Sequence, residues 1–360
     1  MAQGPVTEES VQRVLADFPD PETGRRIATM GQIHRIAVAG DQVTVDLGLT
    51  SYSAPLWKET RQELADLVKA KLPQVREVVV NVVRHERPAE KMGEIGLAAK
   101  SVIAVGSGKG GVGKSTIAAS QAYGLTRAGC QVGLMDADVY GPSIPHLIGS
   151  SERPRVLNDR IQPVMVDGLT VMSMGFLVPP GEAVVWRGPM LHGAITQFLR
   201  DTDWGSLDYL IIDMPPGTGD IALTLSQLLP LSGAVVVCTP QDVALLDAVK
   251  AIAMFRKVNI DVLGMVENMS YFICPQCHTR HDIFGSGGAR KKAEELGVPF
   301  LGEVPLNTQL RIYGDQGRVA AGFDDEDSAS YLEALCYNLV KGLAVRHRQK
   351  PPMPTLSVLG

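Results

Sequence analysis

The chain has 360 residues, 45% of them hydrophobic and 20% charged, with a formal net charge of −5. That is enough apolar material for two or three folded domains, without the excess of Lys and Arg that a nucleic-acid-coating surface needs. No apolar run approaches the ~18 residues of a membrane helix, the opening residues are polar and acidic rather than a secretory leader, and five sparse cysteines fit reduced thiols in a cytoplasm.

Residues 1–83 read as a small α/β domain. Val11, Val14 and Leu15 line one side of a short helix over 8–17. Asp20-Pro21-Glu22-Thr23-Gly24 is turn chemistry. Residues 33–38 and 42–49 alternate in polarity around Gly40-Asp41, which predicts a hairpin. Leu64, Leu67, Val68 and Leu72 repeat at helical spacing over 57–72, and 75–83 is a further strand. Charged residues and Pro88 make 84–96 a linker. From Leu97 strand and helix patterns alternate, which predicts a mostly parallel sheet with helices on both faces over 97–345. The strands fall at 101–105, 131–136, 169–176, 207–213, 234–239, 262–268 and 298–304. Helices fall at 116–128, 191–199, 221–229, 243–258, 288–296 and 327–343. The proline-rich stretch 346–360 reads as a flexible tail.

The chain is organised around Gly108-Lys109-Gly110-Gly111-Val112-Gly113-Lys114-Ser115-Thr116. It follows an apolar strand and opens a helix, and it fits G-x-x-x-x-G-K-S/T from Gly108 to Ser115. Glycines let backbone N–H groups turn inward around a phosphate, and the helix start adds its positive dipole end. Lys114 then meets the outer phosphates, and the Ser115 hydroxyl ligates Mg2+. Gly108, Gly110 and Gly113 also spell a dinucleotide fingerprint, with Asp136 and Asp138 at the distance of a ribose-binding acid. The Lys-Ser after the last glycine decides for a triphosphate, as does the apolar run 209–212 ending in Asp213, a second Mg2+-side acid. Asp136-Ala137-Asp138 ends a strand beside this loop, where one acid can hold a metal-bound water and the other polarise the attacking one. A turn or capping role for either aspartate is the plainer alternative. Gly217 and Gly219 permit a loop that responds to the γ-phosphate, while Asp220 caps the next helix.

Cys274-Pro-Gln-Cys277 brings two sulfurs within reach of one metal or cluster. Three uses stay open on the residues alone. His278 and His281 could complete a cramped Cys2His2 zinc site. A redox dithiol would want a thioredoxin-like unit. An iron–sulfur cluster, needing about four thiolates, would take two from each chain of a symmetric dimer. Cys130, Cys238 and Cys336 sit singly in apolar surroundings and read as core.

Together these residues resemble one family. The loop with its extra Lys109 resembles the deviant phosphate loop of the nitrogenase iron protein and MinD group. With Asp136-Ala-Asp-Val-Tyr-Gly-Pro-Ser143-Ile-Pro145, Asp213-Met-Pro-Pro-Gly-Thr-Gly-Asp220, Glu267-Asn268-Met269-Ser270, Cys274-Pro-Gln-Cys277 and Ile283-Phe284-Gly285, it is similar to the Mrp/ApbC iron–sulfur cluster carriers. Residues 1–83 resemble the PaaD-like domain found ahead of many bacterial members. The resemblance implies a slow ATPase that binds ATP and Mg2+ between two facing subunits. It implies a 4Fe–4S cluster bridged across that homodimer, received from an upstream scaffold and handed to apo iron–sulfur proteins. A MinD/ParA-like positioning switch is the alternative, disfavoured by the helix-breaking 350–354 segment and the acidic charge, so neither membrane nor nucleic acid is expected. By resemblance Lys109 reaches the partner's nucleotide, Lys114 binds its own chain's phosphates, Asp138 places water with Asp136 nearby, Asn268 reads adenine, and Cys274 and Cys277 ligate the cluster. Arg187, in Trp186-Arg187-Gly188-Pro189, is a phosphate or interface contact. Ala54 stands where PaaD-like domains usually carry a cysteine, so thiol chemistry is not expected there.

Overall fold

The computed structural model describes residues 5–139, 141–177, 188–217 and 219–349. It divides into two compact units. One holds the chain up to Arg87 together with the stretch from Val340 onward, and the other runs from Pro88 to Leu339.

The first unit is built on three strands in the order β1 (Ile33–Ala39), β2 (Gln42–Leu49), β3 (Glu77–Arg84), after the helix α1 (Glu8–Leu15). Thr7 starts α1 by accepting from the Ser10 backbone N–H. The Gly40-Asp41 turn joins β1 and β2 with Ala39 opposite Gln42, as the alternation predicts. β2 and β3 are parallel, and α2 (Trp57–Lys71) makes the crossover between them. Val43, Val45 and Leu47 point to one face of β2 and pack with Val11, Leu15, Leu64 and Val68. The turn after α1 is more than a turn. Asp20 and Glu22 are buried, and Arg87 bonds them at 3.1 and 2.6 Å. Burial alone would raise the Asp20 carboxyl. Hydrogen bonds from Gln32 and Thr23 and the Arg87 charge hold it below its ordinary range instead. Arg87 lies in the stretch read as linker.

The second unit is a ten-stranded sheet. β4 (Lys91–Met92) pairs antiparallel with the start of β5 (Leu97–Gly106), so the stretch 84–96 also contains a strand pairing that its composition hides. Then follow α3 (Lys114–Arg127), β6 (Val132–Asp136), α4 (Ile144–Leu147), a small hairpin of β7 (Arg155–Leu157) and β8 (Arg160–Gln162), and the edge pair β9 (Val164–Val166) and β10 (Leu169–Ser173). Next come α5 (Gly188–Asp201), β11 (Leu207–Asp213), α6 (Gly219–Leu228), β12 (Gly233–Cys238) and α7 (Asp242–Lys257). The chain continues through β13 (Val262–Ile273), β14 (Arg280–His281), α8 (Gly288–Leu296), β15 (Phe300–Leu306), α9 (Thr308–Asp315) and α10 (Ala329–Gln349), whose residues from Val340 onward belong to the first unit. The order is β14-β13-β12-β5-β11-β6-β10-β9, with β15 also on β13. Every pairing among β13, β12, β5, β11, β6 and β10 is parallel. Val102, Ile103, Ala104 and Val105 are all fully buried. A continuous apolar strand of this kind belongs at the centre of a sheet covered on both faces.

Several expected boundaries move, among them the strand read over 262–268, which runs on to Ile273, and the strand read from 101, which starts at Leu97. The strand read over 169–176 ends at Ser173, whose hydroxyl accepts the Gly175 N–H and turns Met174–Phe176 into a 3-10 turn. The last helix, read to 343, continues to Gln349, so 346–349 are helical rather than tail. Arg346 and Arg348 place positive charge at its C-terminal dipole end. Among the described residues no helix is long and apolar enough to cross a membrane.

Candidate functional site

The phosphate loop joins β5 to α3, and its shape demands glycine at two places. A Cβ on Gly108 would lie 2.1 Å from the Asp247 carbonyl oxygen of α7. Gly113 has φ +81°, and a Cβ there would lie 2.1 Å from Asn268 Nδ2. The loop is tied from three sides. Ser107 Oγ donates to the Lys109 carbonyl (2.9 Å), the Gly217 N–H donates to the Ser107 carbonyl (3.0 Å), and Asn268 Nδ2 donates to the Val112 carbonyl (2.9 Å).

Parallel register brings the acids together. Asp213 ends β11 opposite Val105 of β5 and Asp136 of β6, and both aspartates are fully buried. Lys114 Nζ lies 2.5 Å from Asp213 Oδ1, 3.7 Å from Asp138 Oδ2 and 3.2 Å from Ser115 Oγ. Burial pushes the Asp213 carboxyl above its ordinary range despite Lys114, and the Ser115 hydroxyl also bonds it. Burial, then the Asp213 charge, pushes Asp136 up likewise. Asp136 accepts the Asp138 N–H (3.0 Å), the Ile144 N–H at the start of α4 (3.3 Å) and the Ser173 hydroxyl (2.8 Å). It therefore shapes the loop that presents Asp138, while Asp138 accepts the Gly141 N–H and faces Lys114.

Mg2+ fits these donors. Asp213 Oδ2 is buried with no hydrogen-bond partner, and beside it stands the Ser115 hydroxyl. Hard oxygens of this kind are what Mg2+ and its retained waters take.

Asn268 lies on β13, which continues to Ile273 and delivers Cys274. β14 folds back on it with Ile273 opposite Arg280 and Phe272 opposite His281. Cys274 to Thr279 therefore form a hairpin tip, closed by bonds between the Cys274 N–H and the Thr279 carbonyl and between the His278 N–H and the Cys274 carbonyl. Cys277 is exposed and Cys274 half-buried. The Thr279 hydroxyl, 3.3 Å from Cys277 Sγ, lowers that thiol's pKa, with Cys274 contributing in the same direction. Among the described residues no group of three or more His, Cys, Asp or Glu is placed to hold one metal ion. His278 and His281 thus do not join the two cysteines in a Cys2His2 site. Cys130 and Cys238 are buried, and burial pushes both thiols up, consistent with core packing.

Two groups carry weight to which the sequence patterns assigned no role. Asp247 backs Gly108 from α7. Glu267 is fully buried and clamps both ends of the cysteine loop, accepting the Ser270 hydroxyl (2.5 Å) and the N–H groups of Gly287 (3.2 Å) and Ala289 (2.7 Å) at the start of α8. A charged residue inside an apolar strand was the available signal. Glu267→Ala should cost about 3 kcal/mol, because three donors lose their acceptor. The urea midpoint of the second unit, at constant m, measures it, and a loss under about 1 kcal/mol would mean water replaces the carboxylate. Arg187 and Trp186 lie outside the described residues, as do Tyr140 and Thr218.

Comparison with known proteins fits this geometry. The family model described as NUBPL iron-transfer P-loop NTPase matches residues 98–340. The chain belongs to this family. A second model, iron–sulfur cluster assembly protein, matches residues 8–82. The iron–sulfur cluster carrier protein of Deinococcus radiodurans is 44% identical over 96% of this chain and 98% of its own. That of Escherichia coli strain K12 is 43% identical over 85% and 84%. The solved Archaeoglobus fulgidus nucleotide-binding protein in complex with ADP has a TM-score of 0.57 and 41% identity, covering 65% of this chain and 93% of that one. The cell division ATPase MinD of Pyrococcus furiosus, at 21% identity and TM-score 0.50 over 67% and 98%, shares the fold. The resemblance to the cluster carriers read from the motifs is borne out, as is the P-loop fold.

Proposed function

We propose that this chain binds and hydrolyses ATP, carries a 4Fe–4S cluster bridged across a homodimer, and transfers it to apo-proteins. One observation carries the reading. β13 holds the phosphate loop through Asn268 and six residues later delivers Cys274, so nucleotide site and sulfur pair are joined through one strand. A chain with only two thiols at an exposed hairpin tip supplies half of a four-thiolate site. An isologous partner supplies the rest.

The residues divide the work. Backbone N–H groups of Gly108 to Thr116 cradle the phosphates. Lys114 leaves its ion pair with Asp213 for phosphate oxygen, and Ser115 and Asp213 hold Mg2+, which neutralises phosphate charge when bound. Asp138, kept in place by Asp136, orients the water. Asn268 is one side chain away from the loop and reads adenine once nucleotide displaces its amide from Val112. Exposed apolar residues support a subunit face on this side. Leu223 on α6 and Val243 and Leu246 on α7 are 45%, 66% and 63% exposed, and α7 is the helix that backs Gly108. The half-buried Lys109 makes no ion pair among the described residues, which leaves its ammonium available to a partner's nucleotide.

Sedimentation with ADP and with a non-hydrolysable ATP analogue, alongside hydrolysis rates, tests the arrangement. Lys109→Ala should bind nucleotide as the parent does, yet lose at least about 100-fold in hydrolysis, as expected for removing a transition-state cation. Normal hydrolysis by this variant would refute a cross-subunit lysine.

A further inference from the structure

The first unit carries a pair of imidazoles that neither the nucleotide site nor the sulfur pair uses. His34 is on β1 and His85 follows β3, so they come from the two outer strands of the three-stranded sheet. Between them lies Gly48 of the central strand. His34 Nε2 faces His85 Nδ1 at 3.5 Å, with ring centroids 5.7 Å apart and planes inclined by 59°. Such a meeting over a central strand requires that strand to have no side chain there. A Cβ on Gly48 would lie 2.5 Å from His34 Nε2 and 3.2 Å from His85 Cβ.

From this juxtaposition we infer that His34 and His85 form a two-imidazole site for a divalent transition cation of the Zn2+, Ni2+ or Cu2+ class. Imidazole nitrogens bind such ions at about 2.0–2.1 Å, and two ligands on one ion at tetrahedral or right angles stand about 3–3.4 Å apart. The observed 3.5 Å needs only a slight rotation of either ring. His34 sits at a register irregularity of β1, between Ile33 and Arg35, which pair with Leu47 and Asp46 of β2, and the His85 N–H donates to the Leu49 carbonyl, so both residues are held from the central strand and the pair is pre-organised at little entropic cost. At present one ring N–H can point at the other ring's lone pair, and a cation replaces that proton. His34 is exposed, which gives the ion access. No third His, Cys, Asp or Glu among the described residues completes a metal-holding group, so water fills the remaining positions and leaves them open to exchange.

The test uses the full chain with Cys274→Ser and Cys277→Ser, which removes the competing thiolates. Titration with Ni2+ alone, followed by calorimetry and by broadening of histidine ring protons, should show one saturable equivalent. His34→Gln or His85→Gln should each weaken that binding by roughly tenfold or more, since even second-shell losses cost 10–100-fold. Gly48→Ala, which keeps both histidines but drives a methyl between them, should weaken it as well while circular dichroism stays unchanged. Binding that is absent in the parent, unaffected by either histidine substitution, or undiminished in folded Gly48→Ala would overturn the assignment. Because the site lies in the first unit, its failure would leave the ATP and cluster reading untouched.

Discussion

Lys114→Ala should lose ATP hydrolysis by at least about 100-fold, the scale of removing one charge from a phosphoryl transition state. Nucleotide affinity should fall about 10- to 100-fold, as for a lost charge-assisted hydrogen bond. The same substitution should also expose what Lys114 does before nucleotide arrives. Its ammonium is the cation inside a group of three buried aspartates, at 2.5 Å from Asp213 and 3.7 Å from Asp138. Removing one partner of a buried pair costs about 3–5 kcal/mol unless the survivor changes protonation. Here it can. Asp136 and Asp213 already sit above the ordinary aspartate value of 3.8, because burial disfavours their charge and they repel their acidic neighbours. An acid whose folded value is raised binds more protons folded than unfolded. Its stabilising contribution is therefore complete below 3.8 and is lost as pH rises through the raised value. Lys114→Ala should push both values higher, so the variant should keep pace with the parent at acid pH, where the carboxyls are protonated in both, and fall behind as pH rises through the parental values, about 8 for Asp136. Urea midpoints of both proteins across that range decide it. A constant deficit at every pH would show that Lys114 does not govern the protonation of this acid group.

The parts legible in the sequence were those where local chemistry and tertiary position agree. Gly108 to Thr116 read as a strand-to-helix loop, which joins β5 to α3, because glycine, lysine and hydroxyl recur at fixed offsets whatever surrounds them. The buried parallel strands read well because Val102 to Val105 and the run ending in Asp213 are apolar without alternation. What escaped were features created by pairing at a distance. β4 is two residues long and exists because Lys91 and Met92 meet Ala98 and Leu97. β14 exists because Arg280 and His281 fold back on Ile273 and Phe272, and only that pairing turns the Cys-x-x-Cys stretch into an exposed hairpin tip. Arg87 looked like a linker charge, but Asp20 and Glu22, far upstream, bury it in an ion-paired cluster. Asp136 shows the limit from the other side. A carboxylate at a strand end beside a phosphate loop suits metal chemistry, yet its oxygens accept from Asp138, Ile144 and Ser173, bonds that form only once the fold brings β10 and α4 to it.

Cys277→Ala should abolish the cluster outright while leaving ATP binding at the parental level. After anaerobic reconstitution the parent should carry roughly two irons per chain, one four-iron cluster per dimer, and the variant essentially none. The all-or-none expectation follows from the geometry. Cys277 sits exposed at the hairpin tip, its thiol already lowered by the Thr279 hydroxyl, and Cys274 is its one thiol neighbour in the turn. Losing it leaves each chain one sulfur and the shared site about two, too few to hold four irons. The nucleotide site should not feel the change, because Asn268, upstream on β13, bonds Val112 of the phosphate loop, and Glu267 clamps the base of the cysteine loop independently of its tip. Mixed dimers make the sharper measurement. A site shared between subunits should lose its cluster when only one chain carries Cys277→Ala, whereas a site complete within each chain should keep half its metal. Retention of half the iron, or of tightly held zinc in proportion to unmodified chains, would place the metal within one subunit and defeat the bridged arrangement.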